Sequence, residues 1–203
     1  PYRLKQDLAP VASINIAHHV LAIHPSIPAQ TLPELIALLK ANPGRYDYAS
    51  SGPGTPYHVA GEVFLAMAGA QATHVPFRGS NEARTAILGG HEQITGGRVR
   101  GLATTGPARS PLMPELPTVA ESLPGYEASI WLGLMAPAQT PAAVRERLNA
   151  EIARIMALPA TREAQARAGA QPMVMTIAEF DAFLRRDITR QAEFIRMARM
   201  TPT

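Results

Sequence analysis

Hydrophobic positions along the chain change their spacing several times, and each change predicts a new element. Short apolar runs rich in β-branched residues lie at 11–17, 18–24, 72–77 and 99–104, and they predict strands. Between these runs, apolar residues recur every three or four positions, as they do on one face of a helix. The alternation predicts an α/β fold with mainly parallel sheets flanked by helices.

Capping boxes mark where several of the predicted helices begin. Thr31, Thr118 and Thr176 are each followed three positions later by a glutamate, so each pair can satisfy free N–H groups at a helix start. The helix after Thr176 is predicted to be long, with an arginine-rich outer face. Its inward positions are Phe180, Phe183, Leu184, Ile188 and Ile195. A helix after Thr140 carries its apolar stripe at Val144, Leu148, Ile152 and Ile155.

A strand, a small-residue loop and a helix start follow one another at residues 46–59. The loop reads Ser-Ser-Gly-Pro-Gly-Thr. Hydroxyls and free backbone N–H groups at such a place can donate hydrogen bonds to an anion. An ordinary turn with a capping Ser or Thr explains the residues alone equally well. The candidate binding residues here are Ser50, Ser51, Gly52, Gly54, Thr55 and His58.

The end of the strand predicted at 72–77 is a second candidate. The sequence Pro-Phe-Arg-Gly-Ser at 76–80 leaves this strand and enters a predicted helix, which is where ligand sites of α/β proteins gather. Phe77 could wall a pocket, and Arg78 could pair with a carboxylate. Because a single arginine is more often solvated, we expect the backbone at Phe77, Gly79 and Ser80 to matter more than the guanidinium.

Composition excludes several classes of function. The chain has 203 residues, a net charge of +3 and no cysteine, so disulfides and thiolate metal sites are impossible. No basic stretch is interleaved with aromatic residues, which argues against nucleic-acid binding. No run of about 18 apolar residues could span a membrane. His91-Glu92 lacks the second histidine of a zinc-protease motif, and we expect no cofactor.

A Ser/His-dependent hydrolase using Ser51 and His58 is the main alternative to a binding protein. The serines precede the glycines, however, so the G-x-S-x-G motif of a nucleophile elbow is absent. No acidic residue is placed to orient the histidine. We therefore predict that the chain is not an enzyme. A sensory binding module without a transport partner is a second alternative.

The stretch from His91 to Arg98 interrupts the alternation of elements. It is polar and rich in glycine where the pattern requires a strand. We hypothesise that Gln93 and Ile94 are not covalent neighbours and that a segment between them is missing. A Cα–Cα distance of about 3.8 Å between them would contradict this.

The same loops, taken with longer stretches, resemble a known family. The chain is similar to the tripartite tricarboxylate transporter substrate-binding proteins, also called the Bug family of periplasmic solute receptors. The matching stretches occur in family order at residues 46–58, 74–80, 87–90, 97–105, 108–121, 125–141 and 148–152. In the family pattern, the histidine at the position of His58 braces the loop, and a basic residue at the position of Arg78 lies beside the site.

The resemblance implies a type II periplasmic binding protein with two lobes, the Venus-flytrap architecture. Such a receptor captures a small carboxylate (a mono-, di- or tricarboxylate or an amino acid) in the interlobe cleft. It then delivers the ligand to a tripartite tricarboxylate-type membrane transporter, or signals its presence. We expect a monomer with lobe two at 22–133 and lobe one at 1–21 and 134–203. The resemblance further implies that the N-terminal part of lobe one is absent, and that a signal peptide not present in these residues directs the protein to the periplasm.

Overall fold

Strands and helices alternate along the chain, which confirms the α/β class. A computed structural model describes residues 3–79 and 99–200, so the hypothesis about Gln93 and Ile94 lies outside the described residues. The strands are β1 (Leu8–His18), β2 (Val20–Ile23), β3 (Asp47–Ser50), β4 (Thr73–Pro76), β5 (Arg100–Thr104), β6 (Ser129–Pro137) and β7 (Gln171–Pro172). The helices are α1 (Leu4–Asp7), α2 (Leu32–Ala41), α3 (Pro56–Ala68), α4 (Ala142–Ala157), α5 (Pro159–Arg167) and α6 (Ile177–Met197), with a 3₁₀ helix at Val119–Glu121.

The described strands form small sheets in which both directions of pairing occur. β3 and β4 pair in parallel, as expected for strands joined by a crossover helix, here α3. β2 pairs with β5, and β1 with β7, in the antiparallel direction. The expectation of mainly parallel sheets therefore holds for β3–β4 and not for these other two pairs. Neither of those pairs belongs to a strand–helix–strand unit, so no crossover dictates a parallel direction.

The chain divides into two compact units. Unit 1 comprises Pro1–Ala17 and Ile130–Gln191, and unit 2 comprises His18–Ser129 and Ala192–Thr203. The sequence-based division assigned the whole C-terminal helix to the first lobe. In the structure, α6 starts in unit 1 and its last residues belong to unit 2.

Two of the three predicted capping boxes form completely, and at Thr31 the glutamate bonds to the residue before the N-cap. The Thr31 hydroxyl accepts from the Glu34 N–H, and the Glu34 carboxylate accepts from the backbone of Gln30. Thr118 with Glu121, and Thr176 with Glu179, make the reciprocal pair of bonds. In each box, the bond from a backbone N–H holds the pKa of the glutamate below its usual range. At Glu121 the larger cause is Arg109.

Helix α6 buries its predicted apolar face within unit 1. Phe180 is fully buried, and its ring contacts Trp131 edge-on at a centroid distance of 5.8 Å. The indole N–H of Trp131 donates to buried Asp187, whose other oxygen accepts from Arg190. The buried charge is therefore paired and hydrogen-bonded, as burial of a carboxylate requires.

The apolar stripe of α4 is largely exposed within the described structure. Val144, Leu148 and Ile155 keep 47%, 39% and 44% of their surface accessible, whereas Met156 on the same helix is buried. Asn149 fixes the helix instead, because its side-chain amide donates to the carbonyls of Val11 and Met175.

The core of unit 2 brings α2, α3, β5 and the 3₁₀ helix together. Tyr126 is buried here: its ring meets Phe64 edge-on, and its hydroxyl donates to the carbonyl of Ala60 in α3. Burial raises the pKa of Tyr126. The fully or nearly fully buried members of this core include Leu32, Leu35, Leu39, Val63, Phe64, Leu102, Ala103 and Val119. This packing fixes the start of α3, on which the candidate site depends.

Half-buried His19 lies between β1 and β2, with its ring 4.6 Å from that of Tyr57. Its Nε2 has no hydrogen-bond partner among the described residues. Burial, with a smaller contribution from His18, lowers the pKa of His19 to about 4. His19 is therefore harder to protonate in the folded state than in the unfolded chain, where its pKa is about 6.5.

We predict that acidification destabilises the fold through His19. Between the unfolded and folded pKa values, each pH unit removes about 1.4 kcal/mol, so the loss reaches about 3 kcal/mol near pH 4. A His19→Phe variant keeps an aromatic ring against Tyr57 and removes the titration, so its stability should fall less steeply in urea unfolding series. His24→Asn, at an exposed position, should keep the parent's slope. Equal slopes for the parent and His19→Phe would contradict the prediction.

No helix in the described ranges is both long enough and apolar enough to cross a membrane.

Candidate functional site

The loop at residues 50–55 joins the end of β3 to the start of α3. The parallel register pairs Ser50 with Pro76, so the ends of β3 and β4 lie side by side. Gly52 and Gly54 have φ angles of 122° and 72°, which L-residues with a side chain rarely adopt. These glycines let the chain turn sharply enough for Pro56 to begin the helix.

Ser50 supports the loop from inside and does not face solvent. Its side chain is 1% exposed. The hydroxyl oxygen accepts from the Gly52 N–H at 3.1 Å, lies 3.2 Å from the Gly52 carbonyl, and contacts His74 Nε2 at 2.6 Å. The expectation that loop hydroxyls donate to an anion does not hold for Ser50 in this conformation, because its hydroxyl already bonds to Gly52 and to His74 of β4.

Thr55 is also turned inward. It occupies the N-cap of α3, yet its hydroxyl donates to the Gly52 carbonyl at 2.7 Å and makes no side-chain cap. Its N–H is directed to the same carbonyl. A hydroxyl has one proton to donate, so Thr55 holds the turn closed and does not donate to a ligand in this conformation.

A stack of three rings, Tyr48, His74 and His58, lies against the loop. His74 is sandwiched: its centroid is 5.0 Å from that of Tyr48 and 4.0 Å from that of His58. Tyr48 donates a short hydrogen bond to Glu62, and the Glu62 carboxylate is 3.8 Å from His58 Nε2. His58 Nδ1 accepts from the Gly54 N–H at 3.0 Å. Elements β3, β4 and α3 thus all contribute to holding the loop.

The surroundings of the stack favour the uncharged forms of two of its members. Burial, and then the neighbouring His58, lower the pKa of His74, while Glu62 opposes this shift. Burial, and then the bond to Glu62, raise the pKa of Tyr48. The position of Tyr48 depends on Gly61, since a Cβ at that position would lie 2.5 Å from the tyrosine ring.

Several donors remain unpaired around the loop. Within the ranges the structure describes, the backbone N–H groups of Ser51, Tyr57 and His58 and the Ser51 hydroxyl have no hydrogen-bond partner. Pro56, the first residue of α3, has no N–H. Tyr57 and His58 therefore supply free N–H groups of the first helical turn, where the helix dipole is positive.

The second candidate segment lies beside the first. The Phe77 N–H donates to the Ser50 carbonyl, and the Phe77 carbonyl is 3.4 Å from where a Gly52 side chain would begin. The structure thus brings Phe77 to the loop. Arg78 is exposed, and a Cβ built on Gly79 would meet nothing within 4 Å. Ser80 lies outside the described residues.

The geometry does not support the hydrolase pair of Ser51 and His58. The histidine that contacts a serine of this loop is His74, and the serine is Ser50. A nucleophile must reach substrate, and Ser50 is buried with its oxygen already accepting an N–H bond. The lone pair of His58 Nδ1 is used by Gly54, which leaves no free acceptor there to take a proton from Ser51.

His74, Tyr48 and Glu62 are site residues that the sequence analysis missed. The spacing of His58 and Glu62, one helical turn apart, is a signal that sequence can give. The contacts of Tyr48 and His74 depend on the register that pairs them across β3 and β4. No cluster of three metal-ligating side chains occurs among the described residues.

Comparison with known proteins gives a consistent family. The model of the tripartite tricarboxylate transporter family receptor matches residues 1–200. A protein from the tcbD–tcbE intergenic region of Pseudomonas sp. (strain P51) is 36% identical over 178 residues, which is 81% of this chain and 53% of that protein. This chain therefore spans about half the length of that curated relative.

Solved structures share the fold. An R. palustris protein with adipate superposes with a TM-score of 0.89 at 26% identity, covering 100% of this chain and 72% of that one. The periplasmic binding protein BugD gives a TM-score of 0.83 at 25% identity, covering 94% of this chain and 69% of that one. The predicted periplasmic-binding-protein fold is confirmed. The chain thus belongs to the tripartite tricarboxylate transporter family of receptors, as its resemblance to the Bug proteins predicted.

Proposed function

We propose that this chain is part of a receptor for a small carboxylate and that residues 51–58 bind the carboxylate group. The direct donors are the Ser51 hydroxyl and the N–H groups of Ser51, Tyr57 and His58. Ser50, Gly52, Gly54 and Thr55 shape the loop. Phe77 supports it from the end of β4, and Arg78 and Gly79 lie further along the same segment.

The observation that carries this proposal is the division of the loop's hydrogen bonds. The inner groups bond to one another, so the loop is held in shape without a ligand. The free donors are concentrated at the start of α3. A carboxylate there would be neutralised by N–H and hydroxyl dipoles, which avoids the cost of burying a second full charge beside it.

The wider role follows from the family. We propose that the complete receptor works in the periplasm and hands its ligand to a tripartite membrane transporter, and that it acts as a monomer. Support comes from the family match and from the similarity to the periplasmic binding protein BugD. The R. palustris relative was solved with adipate, which makes adipate a suitable first probe here.

We predict that carboxylates, and not their neutral analogues, raise the melting temperature of the protein. A panel of mono-, di- and tricarboxylates is compared with matched amides, such as adipate with adipamide. A ligand at a hundredfold excess over its dissociation constant stabilises the folded state by about 2.7 kcal/mol. If none of the carboxylates shifts the melting temperature, or if adipamide acts as well as adipate, the proposal is wrong. Ester hydrolysis lost on Ser51→Ala would instead support the enzyme alternative.

A further inference from the structure

We infer that His58 is a positioning residue that holds the carboxylate loop only in its neutral form, with Glu62 selecting the tautomer that does so. Acidification then releases the loop together with any carboxylate bound to it. This inference rests on the proposed function for its ligand, but its structural part concerns the free protein. His58 and Glu62 act through the backbone of Gly54 and do not supply the binding charge.

The first step is the bond between His58 Nδ1 and the Gly54 N–H, at 3.0 Å. A nitrogen that accepts an N–H must carry a lone pair, so His58 is unprotonated at Nδ1 in this arrangement. An imidazolium carries protons on both nitrogens and accepts no hydrogen bond. Protonation would therefore bring an Nδ1–H of His58 and the Gly54 N–H into repulsive contact. The backbone of Gly54 is already in a conformation that only glycine adopts readily.

The second step is the choice of tautomer. Neutral histidine carries its proton on Nδ1 or on Nε2, and a group beside the other nitrogen decides which. The Glu62 carboxylate lies 3.8 Å from Nε2 and favours the form with the proton there. Tyr48 fixes Glu62 by donating to the same carboxylate oxygen. Nδ1 of His58 thus carries no proton and can accept from the Gly54 N–H, as a result of the contacts that link Tyr48, Glu62 and His58.

The third step concerns the other groups around His58. On its own helix, the charged group that faces it is Glu62, and from β4 the titratable group is His74, whose ring stacks on it at 4.0 Å. From β3, the Tyr48 hydroxyl bonds to Glu62 and the Tyr48 ring stacks on His74, so Tyr48 acts on His58 through these two residues. His74 can accept a proton without breaking the loop, because Ser50 can then receive the Nε2–H and donate to the Gly52 carbonyl. His58 has no such second arrangement, so it is the residue that makes the loop sensitive to pH.

The test in the free protein uses the Gly54 amide signal in ¹H–¹⁵N NMR spectra recorded from about pH 8 to about pH 5, the range in which histidine titrates. We expect this signal to change together with the signals of the His58 ring nitrogens, and His58 to be in the Nε2–H form at the upper end. A Gly54 signal that stays constant while the ring-nitrogen signals change would overturn the inference, as would an Nδ1–H tautomer.

The test with ligand uses adipate and calorimetry over the same pH range. We expect affinity to fall as the pH is lowered through this range, because a protonated Nδ1 of His58 cannot accept from the Gly54 N–H. His58→Asn places an uncharged oxygen acceptor near the position of Nδ1, so its affinity should lose this pH dependence. His24→Asn, at an exposed site remote in sequence, should keep the parent's profile.

The outcomes separate this inference from the proposed function. Adipate binding that is tight and independent of pH upholds the carboxylate receptor and refutes the role of His58. A Gly54 signal that follows His58, in a protein that binds no carboxylate, upholds the positioning role and refutes the proposed function. The NMR measurement on the parent protein needs no variant, so a His58→Asn protein that failed to fold would not affect it.

Discussion

We expect the Ser50→Ala substitution to lower the free energy of unfolding by about 2–4 kcal/mol and to abolish carboxylate binding. The substitution removes the oxygen that accepts the Gly52 N–H and contacts His74 Nε2. Both groups would then lack their partner, and an unsatisfied buried polar group costs about 1–3 kcal/mol. Urea unfolding measures the first effect, and adipate calorimetry measures the second.

Ser51→Ala is the matched neighbour for this experiment. Its hydroxyl makes no described hydrogen bond, so its stability should stay within about 0.5 kcal/mol of the parent. Adipate affinity should nevertheless fall about tenfold, because a hydrogen bond to a charged group is lost. The two variants would then show that Ser50 stabilises the loop and that Ser51 contacts the ligand. Equal stability of the two variants would contradict the placement of Ser50 inside the loop.

Phe180→Ala is expected to have the largest effect on stability, a loss of about 3–5 kcal/mol. Phe180 is fully buried between Trp131 and Phe183, with ring centroids at 5.8 Å and 6.4 Å. Truncation leaves a cavity that rigid neighbours cannot fill. Because Trp131 is the only tryptophan, its fluorescence in a urea titration reports the unfolding of this unit directly.

The control for Phe180→Ala is Val174→Ala, since Val174 is 52% exposed and should lose less than about 1 kcal/mol. A Phe180→Ala protein as stable as this control would show that α6 does not pack through Phe180. A shift in the fluorescence of Trp131 without a change in stability would show that neighbouring side chains rearrange to fill the space left by Phe180.

Local signals in the sequence predicted much of the fold. Each predicted capping threonine accepts from the backbone N–H of the glutamate three positions later, because both partners lie within one helical turn and need no distant contact. The burial of Phe180 and Leu184 followed from helical spacing alone. By contrast, the stripe at Val144 and Leu148 has the same spacing and is largely exposed, since periodicity identifies an apolar face without saying what covers it.

The hydroxyl groups of the loop at residues 50–55 show the same limit of prediction from sequence. Its residue types predicted a place where anions bind, but did not predict which hydroxyls face inward. Ser50 is buried because β3 and β4 pair in a register that places His74 within reach of it. That register joins residues far apart in sequence. Among the hydroxyls of this loop, that of Ser51, directly after the strand, is the one with no partner in the described part of the chain.

The most direct test of the account is an NMR titration of the ¹⁵N-labelled protein with adipate, at a pH of about 7.5, where histidine is neutral. We predict that the amide signals of Ser51, Tyr57 and His58 shift together and saturate, while the amide signals of exposed α4 residues such as Arg154 do not move. Adipamide should produce no shift. Saturable shifts elsewhere in the protein with these three amides unmoved, or no shift at all, would contradict the claim that the start of α3 binds the carboxylate.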